Sequence, residues 1–354
     1  SDEVIFSFPR HDDEKKDERI LTPSPLIVDF PQSELILPTY KSHRDLIHQA
    51  GQIESIEDNK APELDQAALN GGTSVIKNQA ACPFRAFALH RLGAKGLESP
   101  HTGLNAMERG ELVHGLLEQV WRELKTKNEL DAISDDKLKE KLSNSAKKVI
   151  ERIQTKRATK LSKRFTNIEN QRLVRLTYEW LDKEKKRGDF RVKGIEVEGE
   201  INIGGLSLTT RLDRVDMLND GRLIIIDYKT GESKITTMCG ERPDEPQLPL
   251  YLLASQSDAA SAVVFAQVKM GKMKFKALAR DNDLLPSVKA DPEWEQLIVS
   301  WRTDLTRIAE SFSKGDAKVS PKKYPETCRN CDLEPFCRIS ERTEDAYAES
   351  EDGA

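Results

Sequence analysis

Thr210-Arg211-Leu212-Asp213-Arg214-Val215-Asp216, then Asn219-Asp220-Gly221, then Leu223-Ile224-Ile225-Ile226-Asp227-Tyr228-Lys229-Thr230-Gly231: here two apolar runs flank an Asn-Asp-Gly turn. That order predicts an antiparallel hairpin, which sets Asp213 and Asp227 on neighbouring strands. Side chains alternate along a strand, so Asp227 and Lys229 share one face while Tyr228 points the other way, toward the core. Asp216 falls on the face opposite Asp213 and is expected in a salt bridge with Arg214 or Arg211. Asp227 closes a run of four apolar residues, where an unpaired carboxylate is costly and a cation relieves the cost. Carboxylate oxygens suit a hard ion such as Mg²⁺ or Mn²⁺, and a neighbouring ammonium can orient or activate water. The peptide carbonyl of Tyr228, held between two inward-facing residues, is a further expected ligand. Such a group is equipped to hydrolyse a phosphodiester.

The chain has 354 residues, enough for one large domain or two small ones. No apolar run approaches the roughly 18 residues that span a bilayer, and no secretory segment opens the chain, so a cytoplasmic setting and no membrane partner are expected. The first residue is Ser1 and the opening Ile5-Phe6-Ser7-Phe8-Pro9 reads as strand-like, so the chain is expected to belong to a longer polypeptide. Net charge is −5, but its distribution is uneven: between Lys141 and Lys193 there are 17 Lys and Arg against 6 Asp and Glu, and the last fourteen residues are acidic. A basic helical stretch beside carboxylates suits a phosphate-backbone substrate.

Residues 1–70, rich in Pro, Asp, Glu and Ser, read as an extended arm, expected to close a preceding domain; 71–340 read as one domain, and 341–354 as an acidic tail. Within the domain a helix is expected from Val75 to about Leu92, stopped at Gly93. A second carries Leu112, Val113, Leu116, Leu117, Val120 and Trp121 at a 3.6-residue period, with His114 at the margin of that stripe. Charged helices fill about 134–187. Strands follow near 193–203, 206–217 and 222–229, then a helix at about 245–256, strands near 262–266 and 272–278, and a helix at about 292–313. Gln247 and Tyr251, four residues apart, share one face of their helix. No Gly-x-x-x-x-Gly-Lys-Ser/Thr phosphate loop occurs, so no helicase motor is encoded in these residues.

Cys328, Cys331 and Cys337 form a second constellation, with Cys82 far upstream and Cys239 as a bystander thiol. Closely spaced cysteines in an intracellular chain suggest a metal or cluster rather than disulfides, and spacing alone leaves iron-sulfur and zinc both open.

Taken together, Asp213 and Asp227-Tyr228-Lys229-Thr230-Gly231 resemble the PD-(D/E)XK nuclease superfamily in its RecB and AddB branch. Gln247-Leu248-Pro249-Leu250-Tyr251 is similar to that branch's Gln-x-x-x-Tyr motif, and Arg109-Gly110-Glu111-Leu112-Val113-His114 resembles its upstream histidine motif. The likeness runs from about Thr73 to Cys337, with one departure: Thr210 stands where a glycine often precedes the first aspartate. The resemblance implies an α/β restriction-endonuclease-like core, a mixed sheet flanked by helices, with a helical insertion and a C-terminal iron-sulfur segment at 328–337. It further implies that His114 joins Asp213, Asp227 and Tyr228 at Mg²⁺ or Mn²⁺, with Lys229, Gln247 and Tyr251 assisting catalysis. By the same resemblance Cys82, Cys328, Cys331 and Cys337 hold a 4Fe-4S cluster, and the activity is a deoxyribonuclease of DNA repair or recombination. DNA and a helicase subunit or preceding helicase-like domain are the implied partners. The rival expectation is a non-cleaving DNA-end-binding or assembly module of a helicase-nuclease complex.

Overall fold

The structure, a computed structural model, describes residues 4–8, 20–31, 42–51, 58–64, 72–96, 101–157, 159–255 and 259–340. The acidic tail at 341–354 and much of the N-terminal arm lie outside the described residues. The chain divides into two units, Ser1–Glu57 and Asp58–Ala354. In the first, helix α1 spans His43–Gln49 and the rings of Phe6 and Phe30 meet at 5.7 Å. Residues 4–8, expected as strand-like, form no strand. A stretch with no ladder partner among the described residues gains too little to hold that form.

In the second unit, the helix expected from Val75 to Leu92 is interrupted. Helix α2 covers Ser74–Ala81, Cys82 is extended (φ −165°, ψ 124°), and helix α3, Pro83–Ala86, runs into a π-helical turn at Phe87–Arg91. The break follows from Pro83, which has no N–H to donate and pushes the preceding residue out of the helical region. Helix α4, Ala106–Leu124, starts on a capping box in which the Glu108 N–H donates to Asn105 Oδ1 and the Asn105 N–H to Glu108 Oε2, both at 2.8 Å. Three helices follow: α5 at Lys127–Ala132, α6 at Asp135–Lys156 and α7 at Lys163–Glu184.

Five strands then build one sheet: β1 Phe190–Ile203, β2 Leu206–Leu218, β3 Leu223–Lys229, β4 Ala260–Gln267 and β5 Lys274–Ala279, in that spatial order. The β1–β2, β2–β3 and β4–β5 pairs are antiparallel and β3–β4 is parallel, which makes the sheet mixed. Helix α8, Gln247–Ser255, lies in the β3–β4 crossover; α9 spans Trp294–Ser313 and α10 Glu334–Cys337. On one face of the sheet, Leu116, Trp121, Leu142 and Trp180 of α4, α6 and α7 share a cluster with Ile224, Ile226 and Tyr228. On the other, Ile76, Leu250, Trp301 and Phe312 of α2, α8 and α9 share one with Ile225 and Val263. Strands covered on both faces read as unbroken apolar runs, as Leu223–Ile226 does. No helix among the described residues is long and apolar enough to cross a membrane.

The two-residue β1–β2 turn uses Gly204 and Gly205, both at positive φ. A Cβ on Gly204 would stand 2.6 Å from the Glu310 amide nitrogen and 2.7 Å from the Thr306 carbonyl oxygen of α9. Both φ and packing therefore demand glycine there. Gly204→Ala is expected to destabilise the chain by roughly 2 kcal/mol or more, read as a lowered urea midpoint. A shift of under about 0.5 kcal/mol would contradict it.

The last stretch of the unit is laced to its first. Ala61 N–H donates to the Gly315 carbonyl at 2.7 Å, Ala317 N–H to Asn59 at 2.9 Å, Phe84 N–H to Lys318 at 3.0 Å and Lys322 N–H to Ala81 at 2.8 Å. Phe84 also meets Phe336 edge-on at 5.2 Å.

Candidate active site

Pairing between β2 and β3 runs from Met217–Leu223 to Arg214–Ile226 and ends there. Beyond that point β2 stays with β1, Leu212 opposite Val197, while β3 stays with β4, Tyr228 opposite Ala266. The strands part where Asp213 and Asp227 stand. Released from the β2 ladder, the Tyr228 N–H donates to Asp213 Oδ2 at 2.7 Å. The other oxygen, Oδ1, lies 3.1 Å from Nδ1 of His114 on α4. Burial works against a charged His114, but the hydrogen bond and charge of Asp213 outweigh it and raise the imidazole above its ordinary value.

Asp227 and Lys229 do share a face. Lys229 Nζ lies 2.9 Å from Asp227 Oδ2 and 3.2 Å from Glu245 Oε2, and Glu245 Oε1 accepts from Lys77 of α2 at 2.5 Å. Asp227 is 3% exposed, and its Oδ2 gains no well-aligned hydrogen bond from that ammonium. Burial pushes the Asp227 carboxyl up to about 6; Lys229 opposes the rise and Asp213 adds to it. Burial opposes the Lys229 ammonium, but Asp227 and Glu245 raise it above the ordinary lysine range. A buried carboxylate with a poorly satisfied oxygen, a second carboxylate on the adjoining strand and an imidazole make a donor set that fits a divalent cation.

The sequence profile of the PD-(D/E)XK nuclease superfamily matches residues 73–338, a span that holds the fork and the whole sheet. The chain belongs to the PD-(D/E)XK nuclease superfamily. Nucleases of this superfamily generally use divalent metals such as Mg²⁺, and the family implies a DNA substrate. No curated protein matches the chain. Among solved structures, SSO0001 is similar at 16% identity and a TM-score of 0.28, over 75% of this chain and 94% of that one. A protein from Eubacterium rectale provisionally described as an exonuclease is similar at 10% identity and a TM-score of 0.36, over 73% and 86%.

Other residues of this superfamily member take less expected places. Gln247 Nε2 donates to the Arg211 carbonyl at 2.8 Å, tying the start of α8 to β2. Tyr251 is half-buried against the apolar cluster beneath α8. Asp216 pairs with Arg214, as one of the two expected partners, and also with Arg187; Arg211 instead pairs with Glu196. The Asp216 pairs with Arg214 and Arg187, unlike the exposed Arg211 pair, belong to a buried network whose side chains are at most 1% exposed. Arg214 Nη2 donates to Asp216 Oδ2 at 2.8 Å and to Glu184 at 2.9 Å, and Nη1 donates to the Tyr228 hydroxyl at 2.8 Å. Arg187 Nη1 completes it through Glu184 Oε2 at 2.6 Å and Asp216 Oδ2 at 2.8 Å. The network thus grips the tyrosine whose N–H orients Asp213.

The basic stretch is less open than its count implies: Arg187 is buried, and Lys156 and Arg157 pair with Glu111 and Glu108 of α4. Cys82, Cys328, Cys331 and Cys337 line one small pocket with Phe84, Val319 and Leu333. Burial raises the Cys328 and Cys337 thiols, and the neighbouring sulfurs add to it. Cys239 lies apart, after a 3₁₀ turn at Ile235–Met238. Among the described residues, no three His, Cys, Asp or Glu side chains are grouped closely enough, as they stand, to hold a metal ion. Glu245 and Lys77 were not singled out from sequence. The available signal was weak: a glutamate two residues before Gln247, between Pro243 and Pro246.

Proposed function

We propose that the chain is a metal-dependent DNA nuclease of the RecB and AddB kind, hydrolysing phosphodiester bonds. The observation that supports this best is the β2–β3 fork, which sets buried Asp227 beside Lys229 and turns Asp213 toward His114. His114, Asp213, Asp227 and the Tyr228 carbonyl would hold Mg²⁺ or Mn²⁺. When bound, the ion supplies charge to stabilise the scissile phosphate and to acidify water. Lys229, kept protonated by its two carboxylates, orients the attacking water and the phosphate oxygens. Gln247 keeps β2 in register beside the site, and Tyr251 supports the helix that carries it. The exposed lysines and arginines of α6 and α7 receive the DNA backbone.

Cys82, Cys328, Cys331 and Cys337 hold a 4Fe-4S cluster in this reading. Four thiols from the two ends of the domain around one apolar pocket form the donor set a cluster needs, and the link is a structural staple. The setting is cytoplasmic DNA repair or recombination, beside a helicase subunit or helicase-like domain. One experiment tests the whole: anaerobically purified protein, with iron, sulfide and zinc measured, is given end-labelled single-stranded, duplex and circular DNA with Mg²⁺ or Mn²⁺. Metal-dependent cleavage is expected, lost in Lys229→Ala, with iron lost in Cys82→Ser. Tight DNA binding without cleavage would support the non-cleaving module instead, and zinc without iron would overturn the cluster.

A further inference from the structure

Lys229 has two carboxylates where one would neutralise it. Asp227 Oδ2 stands 2.9 Å from its Nζ and Glu245 Oε2 3.2 Å. If Asp227 takes a divalent ion, ion and ammonium become like charges beside one carboxylate and repel. Lys229 must then have another anchor or leave the site. Glu245 is built to be that anchor. Its N–H donates to the Thr237 carbonyl at 2.9 Å, and Pro246 follows it. Three residues earlier, Arg242 donates to the carbonyls of Ala80, Ala81 and Ser320 at 2.6, 3.0 and 2.8 Å. Lys322 pairs with Asp244 at 2.9 Å, and Lys77 holds the far oxygen of Glu245 itself. The segment is therefore pinned from several sides, and the carboxylate is presented with little freedom left to lose.

We propose that Glu245 is the positioning residue of Lys229: it receives the ammonium when a divalent cation occupies Asp227, and Lys77 keeps that carboxylate in place. The inference rests on the reading of Asp227 as a metal ligand. Its distinctive consequence is that Glu245 governs metal affinity through Lys229, without touching the ion. Removing Glu245 leaves the whole attraction of Lys229 on Asp227, so an entering cation must displace it.

The test is calorimetric titration of the full chain with Mn²⁺, independent of cleavage. Glu245→Gln is expected to weaken Mn²⁺ binding about tenfold, and to change it by less than about twofold in a Lys229→Ala background. At saturating Mn²⁺, the kcat of Glu245→Gln on single-stranded DNA falls about tenfold with KM nearly unchanged, and Glu245→Asp recovers part of it. Should the glutamine variant fail to fold, Glu245→Asp carries the same comparison with a smaller weakening. Equal weakening with and without Lys229 would overturn the proposal, because Glu245 would then act on the ion or the fold directly. Unchanged binding in the Lys229-containing chain would overturn it too. Wild-type protein that binds no Mn²⁺, or Asp227→Asn that binds it undiminished, would instead sink the metal site and this inference with it.

Discussion

Asp227→Asn is expected to abolish Mg²⁺-dependent DNA cleavage, with kcat falling at least about a thousandfold while the fold is kept. The side chain is 3% exposed, so its charge is little screened by water and the metal-free protein tolerates it poorly. Burial holds the carboxyl at about 6, above the 3.8 of an ordinary aspartate. Between those values the metal-free folded chain keeps a proton that the unfolded chain has released. The contribution of this group to stability therefore falls as pH rises through that window and is level above it. Metal binding runs the other way, because the cation needs the carboxylate, so affinity and cleavage are expected to climb through pH 6 and flatten above about 7. The asparagine variant carries no such charge. In chelator at pH 7 it is expected to be at least as stable as the wild type, an advantage that vanishes near pH 4. Cleavage at pH 5 to 8 and urea melts in chelator check both halves. Wild-type cleavage by the variant would remove Asp227 from the site, and a large loss of stability would recast it as structural.

Arg214→Ala carries the largest stability effect, roughly 3–5 kcal/mol, since it breaks one member out of a buried charge network. Glu184 and Asp216 would keep only Arg187, and the Tyr228 hydroxyl would lose its donor. The guanidinium also lies 4.3 Å over the Trp121 ring, a contact that alanine cannot replace. Against a typical total of about 5–15 kcal/mol, such a loss brings a domain near unfolding at ordinary temperature. Arg214→Lys keeps the charge but loses the planar fork that serves three acceptors, so an intermediate cost is expected. Urea denaturation followed by circular dichroism measures both, and a cost below about 1 kcal/mol for alanine would contradict the network's role.

Much of this was legible in the residues. The Asn-Asp-Gly turn and the apolar run ending at Asp227 were enough to set the two aspartates on adjoining strands and to send Tyr228 into the core. Period-3.6 apolar residues marked α4 around His114. What escaped was non-local. The parting of β2 and β3 depends on β1 and β4 holding their own partners, and no local pattern records that. Glu184 and Arg187 reach Arg214 and Asp216 across about thirty residues, and Lys77 reaches Glu245 across 168. The break at Cys82 was readable from Pro83, whose missing N–H and restriction of the residue before it end a helix there.

The lacing of residues 59–64 and 81–84 to 313–322 has a consequence for how this unit can travel between proteins. A fold whose chain enters and leaves on the same side can be spliced into a loop of a host domain, or hung from its end, without stretching either partner. The fork that carries Asp213 and Asp227 lies in the middle of the chain, remote in sequence from both seams. Recombination at those seams would hand over the fork and its sheet whole, leaving the host to decide what reaches them.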